Sequence, residues 1–322
     1  MKRALLFGID NYPFAPLRGC VADALKMQEV LSVNDIPPTG NFQCEVFTSD
    51  QEEITTELMY EKIQQYLDDD TGAIRTALLY FAGHGYVDGL DGYLVSQNAS
   101  KYAQGVEMSD LLHICSQSRI PEIIIVLDCC YSGEFGSIIG NKRLSQLPSG
   151  VSILTSSGAE QRSLEENGAG LFTSLLYDAL KGEAADILGN IDVAAVYNYV
   201  DNMLGAFEQR PIFKTNVSRM TRLRKTTPRI TIEELSRITE FFTSPTEPHQ
   251  LDPSYEDTEP CSTEENVQIF KLLQKMTSVG LVHPVEEKFM YYAAINSKTC
   301  VLTPTGKSYW KLIDKGHLRY QE

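Results

Sequence analysis

The stretch Pro121 to Gly133, PEIIIVLDCCYSG, decides the fold of this 322-residue chain. Its apolar run, from Ile123 to Leu127, is unbroken and mostly β-branched. This pattern is typical of a strand that is buried on both faces of a parallel sheet. A carboxylate and two thiols follow at its carboxyl end, where open α/β sheets bind ligands, namely Asp128, Cys129 and Cys130. The sequence therefore predicts an α/β protein with its site at this end of the sheet.

A second stretch repeats this arrangement. Residues 77–81 (ALLYF) predict another buried strand, and Ala82-Gly83-His84-Gly85 follows directly. The glycines let the backbone turn and let a substrate chain approach closely. If the two strands are neighbours, His84 and Cys130 face one crevice, as a Cys/His nucleophilic pair requires. A buried structural cysteine and a satisfied histidine are the alternatives. Both residues follow long apolar runs and have glycines close by, and this pattern favours a catalytic role over a structural one.

Two further alternatives concern the base and a metal. His113 is a rival base, but its place in the middle of a predicted helix, residues 108–116, favours a packed or surface histidine. The adjacent thiols of Cys129 and Cys130 cannot easily both bind one tetrahedral zinc, and the sequence contains no CxxC. No metal site is predicted.

The segments YFAGHG (80–85) and LDCCYSG (127–133) resemble the histidine and cysteine motifs of the caspase and metacaspase group of cysteine peptidases. The metacaspases are the closer match, although Tyr131 stands where they more often carry histidine. The resemblance implies a caspase-like three-layer αβα fold with a mostly parallel central sheet. It also implies that Cys130 is the nucleophile and His84 the base, and that the backbone amides of Gly85 and Cys130 hold the oxyanion.

The resemblance further implies a substrate pocket. Cys20 and Asp23 fall on pocket positions of the metacaspases, Asp128 falls on the aspartate before the cysteine pair, and Ala82 stands at a position that is often serine. Two carboxylates in one pocket bind a guanidinium or ammonium group through charge-assisted bonds. We therefore expect an endopeptidase that cuts proteins after Arg or Lys. For Asp23 alone, a surface acid on a helix is the alternative.

Residues 134–150 predict a long polar loop, in the region where caspase-group chains are separated on maturation. If the pocket accepts basic residues, Lys142 and Arg143 are candidate autoprocessing sites. Segment 98–100, Asn-Ala-Ser, lies where many metacaspases carry calcium-binding aspartates. We therefore expect no calcium dependence and no cofactor.

The amino-acid composition changes along the chain and predicts two domains joined by a linker. The resemblance covers about the first two-thirds, which gives a peptidase domain at 1–218. Residues 219–262 are predicted as a linker with one short helix. Residues 263–322 resemble a winged-helix α+β module, with a helix at 266–277, a β-hairpin of strands 290–295 and 299–302, and a last helix through Trp310.

The net charge of −15 lies entirely in residues 1–218, which hold 14 Lys and Arg against 29 Asp and Glu. Such an acidic body repels nucleic acid and attracts basic peptides. The sequence has no apolar run of membrane-spanning length and no signal peptide. The spacing of its seven cysteines does not suggest a disulfide framework. We expect a cytoplasmic protein with a protein substrate that exposes Arg or Lys, a regulatory protein partner at the C-terminal module, and no nucleic acid or membrane partner.

The alternative function is a catalytically inert caspase-like scaffold whose winged helix binds DNA or a partner protein. The intact Cys/His pair and the acidic pocket favour the peptidase. The resemblance to bacterial caspase-like effectors implies a role in bacterial defence, with activation by processing or by a partner.

Overall fold

The computed structural model describes residues 1–87, 91–100, 103–129, 147–156, 165–166, 169–204 and 211–318. The chain divides into two compact units, Met1–Thr227 and Pro228–Glu322. No helix among the described residues is both long and apolar enough to cross a bilayer.

The first unit is built on a six-stranded sheet, whose strands we label in chain order. They are β1 (Lys2–Gly8), β2 (Phe42–Thr48), β3 (Thr76–Gly83), β4 (Glu122–Cys129), β5 (Val151–Thr155) and β6 (Ile212–Asn216). Their order across the sheet is β6-β5-β4-β3-β1-β2. All neighbours are parallel except β6, which pairs with β5 in the antiparallel sense.

The two central strands confirm the sequence prediction, because every residue of β3 and of β4 is buried. Their side chains alternate between two apolar clusters. Ile123 and Ile125 belong to one cluster, whereas Ile124 and Val126 belong to the other. A strand covered on both faces has no solvent-facing side, which explains why its apolar run is continuous rather than alternating.

Helices cover both faces of this sheet and complete the three layers. They are α1 (Cys20–Ser32), α2 (Thr56–Leu67), α3 (Met108–Gln117), α4 (Leu171–Asp178) and α5 (Val193–Leu204), with a π-helical turn at Ala179–Glu183. Helices α2 and α3 pack on one face through Ile63 and Leu111. Helices α1 and α4 pack on the other through Met27 and Leu176. The predicted αβα fold with a mostly parallel sheet is confirmed.

Short strands form small antiparallel sheets around this core. Three of them, Gly85–Val87, Gly92–Ser100 and Ala103–Glu107, form one sheet that follows β3. The other pairs are Val33–Asn34 with Thr39–Gly40, Glu165–Glu166 with Ala169–Gly170, and Asn190–Asp192 with Arg222–Lys225.

The last of these pairs carries a buried arginine. Arg224 is 3% exposed and forms an ion pair with Asp35. Its guanidinium also donates to the Leu180 carbonyl at 2.8 Å and to the Val33 carbonyl at 3.0 Å. Because a buried guanidinium is stable only when its donors are satisfied, strand Arg222–Lys225 is held firmly in the first unit.

The second unit has six helical segments and one sheet among its described residues. The helices are Ile232–Ser236, Ile238–Phe241, the 3₁₀ turn Pro253–Tyr255, Glu264–Ser278, Met290–Ile295 and Pro304–Asp314. The sheet places Thr299–Leu302 between His249–Gln250 and Val282–Pro284, and both pairings are antiparallel.

One predicted strand is wrong. Residues Met290–Ile295 form an α-helix, and Thr299–Leu302 pairs with Val282–Pro284 instead. Met290, Ala293 and Ala294 are buried, a spacing of three and four residues that is typical of one helix face. The order of helix, turn, hairpin and helix, on which the predicted winged helix depends, is therefore not the observed order.

The observed division of the chain lies between Thr227 and Pro228. The predicted linker, residues 219–262, therefore falls in both units. Its first part contributes strand Arg222–Lys225 to the first unit, and its second part contributes buried residues such as Leu235 and Leu251 to the second. In place of the one short helix predicted in this segment, two short helices, Ile232–Ser236 and Ile238–Phe241, meet at Arg237.

Candidate active site

The carboxyl ends of β3 and β4 lie side by side. Gly83 pairs with Cys129, and Ala82 pairs with Asp128, in the parallel register of the two strands. His84 directly follows the first strand, and Cys130 directly follows the second in the sequence. Cys130 itself lies outside the described residues, as do the processing candidates Lys142 and Arg143.

The imidazole of His84 is half-buried, and its tautomer follows from one contact. Its Nε2 atom lies 2.7 Å from the carbonyl oxygen of Ala15. A carbonyl oxygen only accepts hydrogen bonds, so Nε2 must carry a proton. In the neutral ring, Nδ1 is then the atom with a free lone pair, and it can accept a proton.

Tyr12 also contacts His84, and sequence reasoning missed it. The rings of Tyr12 and His84 are 4.6 Å apart between centroids, and the His84 amide donates to the Tyr12 hydroxyl at 3.1 Å. Gly85, a proposed oxyanion donor, opens the strand Gly85–Val87 and pairs with Leu94. The backbone on both sides of the imidazole is therefore fixed by neighbouring segments.

Asp23 and Asp128 meet around Gly170. The amide of Gly170 donates to Asp23 Oδ2 at 3.0 Å. A Cβ atom placed on Gly170 would lie 2.7 Å from Asp128 Oδ2 and 3.1 Å from Asp23 Oδ2, so these two oxygens are at most 5.8 Å apart. Both carboxylates are buried, with 2% of Asp23 and 8% of Asp128 exposed. The structure thus brings together two acids that are 105 positions apart in the sequence.

Burial of the two acids changes their electrostatics. Burial raises the pKa of Asp23 to about 6, and the nearby charge of Asp128 also raises it, whereas the hydrogen bond from Gly170 lowers it. Burial also raises the pKa of Asp128, against the hydrogen bonds that this carboxylate accepts from Thr173 and Ser156. Both shifts mean that the site disfavours two uncompensated negative charges.

Cys20 and Ala82 lie beside this acid pair. Burial, followed by the charges of Asp10, Asp128 and Asp23, raises the pKa of the Cys20 thiol, which is therefore neutral at physiological pH. Ala82 is 1% exposed and lies directly opposite Asp128 in the sheet register. The four residues predicted for the pocket are thus close to one another.

A buried hydroxyl pair supports Asp128, and no sequence motif identified it. Thr173 Oγ1 donates to Asp128 Oδ2 at 2.6 Å, and the Tyr80 hydroxyl lies 2.6 Å from the same Thr173 oxygen. Because the Thr173 proton is directed at the carboxylate, the Tyr80 hydroxyl must be the donor to Thr173. The two hydroxyls therefore fix the orientation of the carboxylate.

The rival base lies elsewhere. The side chain of His113 is exposed on α3 and lines a shallow cleft with Asp68 and Arg119. Asp68 precedes the amino end of β3, whereas His84 follows its carboxyl end, so His113 lies at the opposite edge of the sheet. In the described part of the chain, no three His, Cys, Asp or Glu side chains are grouped in a way that would hold a metal ion.

Comparison with known proteins agrees with this architecture. Residues 1–222 match the family model described as the caspase domain. Among solved structures, caspase-1 from Spodoptera frugiperda superposes with a TM-score of 0.51 at 15% sequence identity, covering 70% of this chain and 90% of that one. No curated protein matches the sequence. The family match spans more than half of the chain, and the structural likeness independently shows the same fold. The chain therefore belongs to the caspase family of cysteine peptidases.

Proposed function

We propose that this protein is a cysteine endopeptidase that cuts protein substrates after Arg or Lys. The observation that carries the proposal is the buried pair of carboxylates, Asp23 and Asp128, which adjoins the end of the strand that leads into Cys130. In this proposal, Cys130 is the nucleophile and His84 the general base.

The chemistry follows from the tautomer of His84. The thiol proton of Cys130 passes to Nδ1, and the sulfur attacks the substrate carbonyl carbon. The amides of Gly85 and Cys130 stabilise the resulting oxyanion. The imidazolium then protonates the leaving amine, the C–N bond breaks, and a thioester remains on Cys130. Water, deprotonated by His84, hydrolyses this thioester, releases the carboxylic acid and restores the thiol.

The acid pair supports the preference for a cation. Two buried carboxylates without a compensating charge are costly, as the raised pKa values of Asp23 and Asp128 indicate. Among the described residues, Asp23 Oδ1 accepts no hydrogen bond, and its ion pair with the partly exposed Lys26 Nζ is long, at 3.8 Å. A substrate guanidinium or ammonium would supply both the charge and the missing donors.

Cleavage of matched peptides tests the proposal. Fluorogenic peptides that differ only in the residue before the cut, with Arg, Lys, Leu or Asp at that position, should be cleaved only when that residue is basic. An acidic preference would show that the pocket has been assigned the wrong charge. Absence of cleavage of every peptide, together with tight duplex binding by the full-length protein, would support the inert scaffold.

The charge and the exposed residues of the second unit indicate that it binds a protein rather than DNA. Residues 228–322 contain 10 Lys and Arg against 14 Asp and Glu, and a net negative unit weakens attraction to phosphates. Three aromatic side chains on or beside helix Met290–Ile295 are 42–55% exposed, namely Phe289, Tyr291 and Tyr292. Exposed aromatic residues are typical of the residues that dominate protein interfaces. We assign the regulatory contact of the enzyme to this unit.

The affinity for cations should depend on pH. Asp23 binds a cation only when ionised, and its pKa in the free enzyme is about 6. The inhibition constant of benzamidine, a non-reactive amidinium, should therefore rise by about tenfold for each pH unit below 6 and level off above about 7. Measuring it as a competitive inhibitor of Arg-peptide cleavage isolates cation binding from the chemical steps of the reaction. Asp23→Asn should weaken benzamidine binding and remove the part of its pH dependence that Asp23 contributes. A flat wild-type profile between pH 5 and 8 would contradict the prediction.

Autoprocessing is the second expectation for the same specificity. If the pocket accepts basic residues, the active enzyme should cut its own chain after Lys142 or Arg143. Intact-mass spectrometry should find two fragments in the wild-type protein and a single chain in Cys130→Ala. A doubly substituted Lys142→Ala, Arg143→Ala protein should also stay intact but still cleave an Arg peptide. Active wild-type enzyme that remains uncut at both positions would exclude these sites.

A further inference from the structure

Tyr12 makes an unusual set of contacts with the proposed base. We propose that the Tyr12 hydroxyl is a positioning group for His84, which fixes the backbone and hence the imidazole of the general base. This inference rests on the proposed function, because it takes His84 as the base. Tyr12 lies in the segment that follows β1, and its side chain is 1% exposed.

The hydroxyl holds the main chain of His84 from one side. It donates its single proton to the Val95 carbonyl at 2.9 Å, so its oxygen accepts from the His84 amide at 3.1 Å. The Val95 amide in turn donates to the His84 carbonyl at 3.0 Å. Both backbone polar groups of His84 are therefore tied to the pair of Tyr12 and Val95.

The same segment holds the imidazole itself. The Tyr12 ring packs on the imidazole at 4.6 Å between centroids, with an angle of 53° between the planes. Three residues later, the Ala15 carbonyl accepts from Nε2 at 2.7 Å. One face and one edge of the ring are thus fixed, and Nδ1 is left at a defined position for the thiol.

The Tyr12 hydroxyl also explains why a glycine stands at position 83, directly before the proposed base. A Cβ atom on Gly83 would lie 2.5 Å from the Tyr12 hydroxyl oxygen and 2.9 Å from Phe81 Cζ. Real Cβ atoms do not approach neighbouring atoms so closely, so the hydroxyl occupies the space of a side chain at position 83. The glycine that the sequence analysis attributed to a turn is required by Tyr12 as well.

Removal of the hydroxyl leaves the part-buried His84 amide and the buried Val95 carbonyl without this partner. Buried backbone groups rarely stay unpaired, so the segment must shift to recover a hydrogen bond. A general base has to stay within hydrogen-bond reach of its proton, and a displacement of about 1 Å can cost on the order of 100-fold in rate. The hydrogen bonds of the Tyr12 hydroxyl go to Val95 and His84 and not to Asp23 or Asp128, so we expect substrate binding through the acid pair to change little.

Steady-state kinetics of Tyr12→Phe on an Arg peptide test the inference. We expect kcat per titrated active site to fall by about 10- to 100-fold, whereas KM stays within about twofold. The pH at which iodoacetamide alkylates Cys130 at half its maximal rate should also rise, because a displaced imidazolium stabilises the thiolate less. The matched control is Tyr66→Phe, whose hydroxyl donates to the Gln43 carbonyl at 2.9 Å near the amino ends of β1 and β2. It should keep wild-type kcat and the wild-type alkylation profile.

A double-mutant cycle adds a second measurement. Gly83→Ala should reduce kcat less in the Tyr12→Phe background than in the wild type, because the contact with the hydroxyl is already gone. Wild-type kcat and alkylation in Tyr12→Phe would overturn the inference. A fall in total activity that is explained entirely by a smaller number of active sites, as counted by active-site titration, would overturn it too. Activity in His84→Ala would instead overturn the proposed function.

Discussion

Cys130→Ala should show no measurable hydrolysis of Arg peptides, whereas Cys129→Ala should keep most of the wild-type activity. The thiol of Cys130 forms the covalent intermediate in the proposed mechanism, and alanine offers no nucleophile. Cys129 is 1% exposed and belongs to an apolar cluster of the core, where a thiol behaves as a small hydrophobic group. The measurement is kcat/KM for each variant, normalised to the folded protein.

The control for this comparison is stability. Cys129→Ala removes one buried sulfur atom and should lower the free energy of unfolding by about 1 to 2 kcal/mol, without a change in kcat per titrated site. Cys130→Ala should unfold close to the wild-type temperature. Iodoacetamide should modify Cys130 first in the wild type, as peptide mapping would show. If Cys129→Ala is inactive while Cys130→Ala cleaves, the nucleophile is Cys129.

Asp23→Asn and Asp128→Asn should each lower kcat/KM for Arg peptides by about 10²- to 10³-fold. Each substitution removes one of the two charges that would pair with the buried substrate cation, and loss of one partner of such a pair costs about 2 to 5 kcal/mol. Cleavage of a Leu peptide, if any is detectable, should not fall. Stopped assays at matched enzyme concentration measure both substrates.

The free energy of unfolding distinguishes this loss of activity from misfolding. A variant that is inactive because it misfolds should be less stable than the wild type, whereas Asp23→Asn should be more stable. The pKa of Asp23 is about 6 in the folded protein, above its value in the unfolded chain. The folded state therefore gains stability as the pH falls through 6 towards the unfolded value, and at pH 7.5 the ionised side chain destabilises it. Asp23→Asn should raise the free energy of unfolding of the ligand-free enzyme at pH 7.5 by on the order of 1 to 3 kcal/mol.

A distant acid provides the matched control. Asp69 is also buried, but it accepts hydrogen bonds from Thr71 and Ile74 near the amino end of β3, and these bonds lower its pKa. Asp69→Asn should keep wild-type kcat/KM per titrated site and should not stabilise the protein. If Asp23→Asn and Asp69→Asn behave alike towards Arg and Leu peptides, the acid pair does not select the substrate.

The sequence predicted the central strands of the sheet and the edge at which His84 and Asp128 lie, for a physical reason. Strands β3 and β4 are buried on both faces, so their apolar runs are continuous and their ends are marked by a sudden return of polarity. Their register then brings Ala82 opposite Asp128. The location of the pocket acids came from the family resemblance, since no local pattern links Asp23 to Asp128.

The supporting groups could not be predicted in the same way. The Ala15 carbonyl acts through its backbone, so its side chain gives no signal. Tyr12 and Thr173 depend on contacts that form only when distant segments pack together. The sequence analysis predicted a strand at Met290–Ile295, whereas the buried spacing that identifies a helix is short and includes two alanines. Tertiary packing decided each of these cases.

The buried Arg224 determines how the protein can be shortened. A recombinant fragment that stops at Ser218 would retain Asp35 and the Leu180 carbonyl but lack the guanidinium that both of them bind. It would also expose the edge of Asn190–Asp192, which normally pairs with Arg222–Lys225. The shortest fragment suited to crystallisation or inhibitor screening therefore extends to Thr227, five residues past the end of the family match.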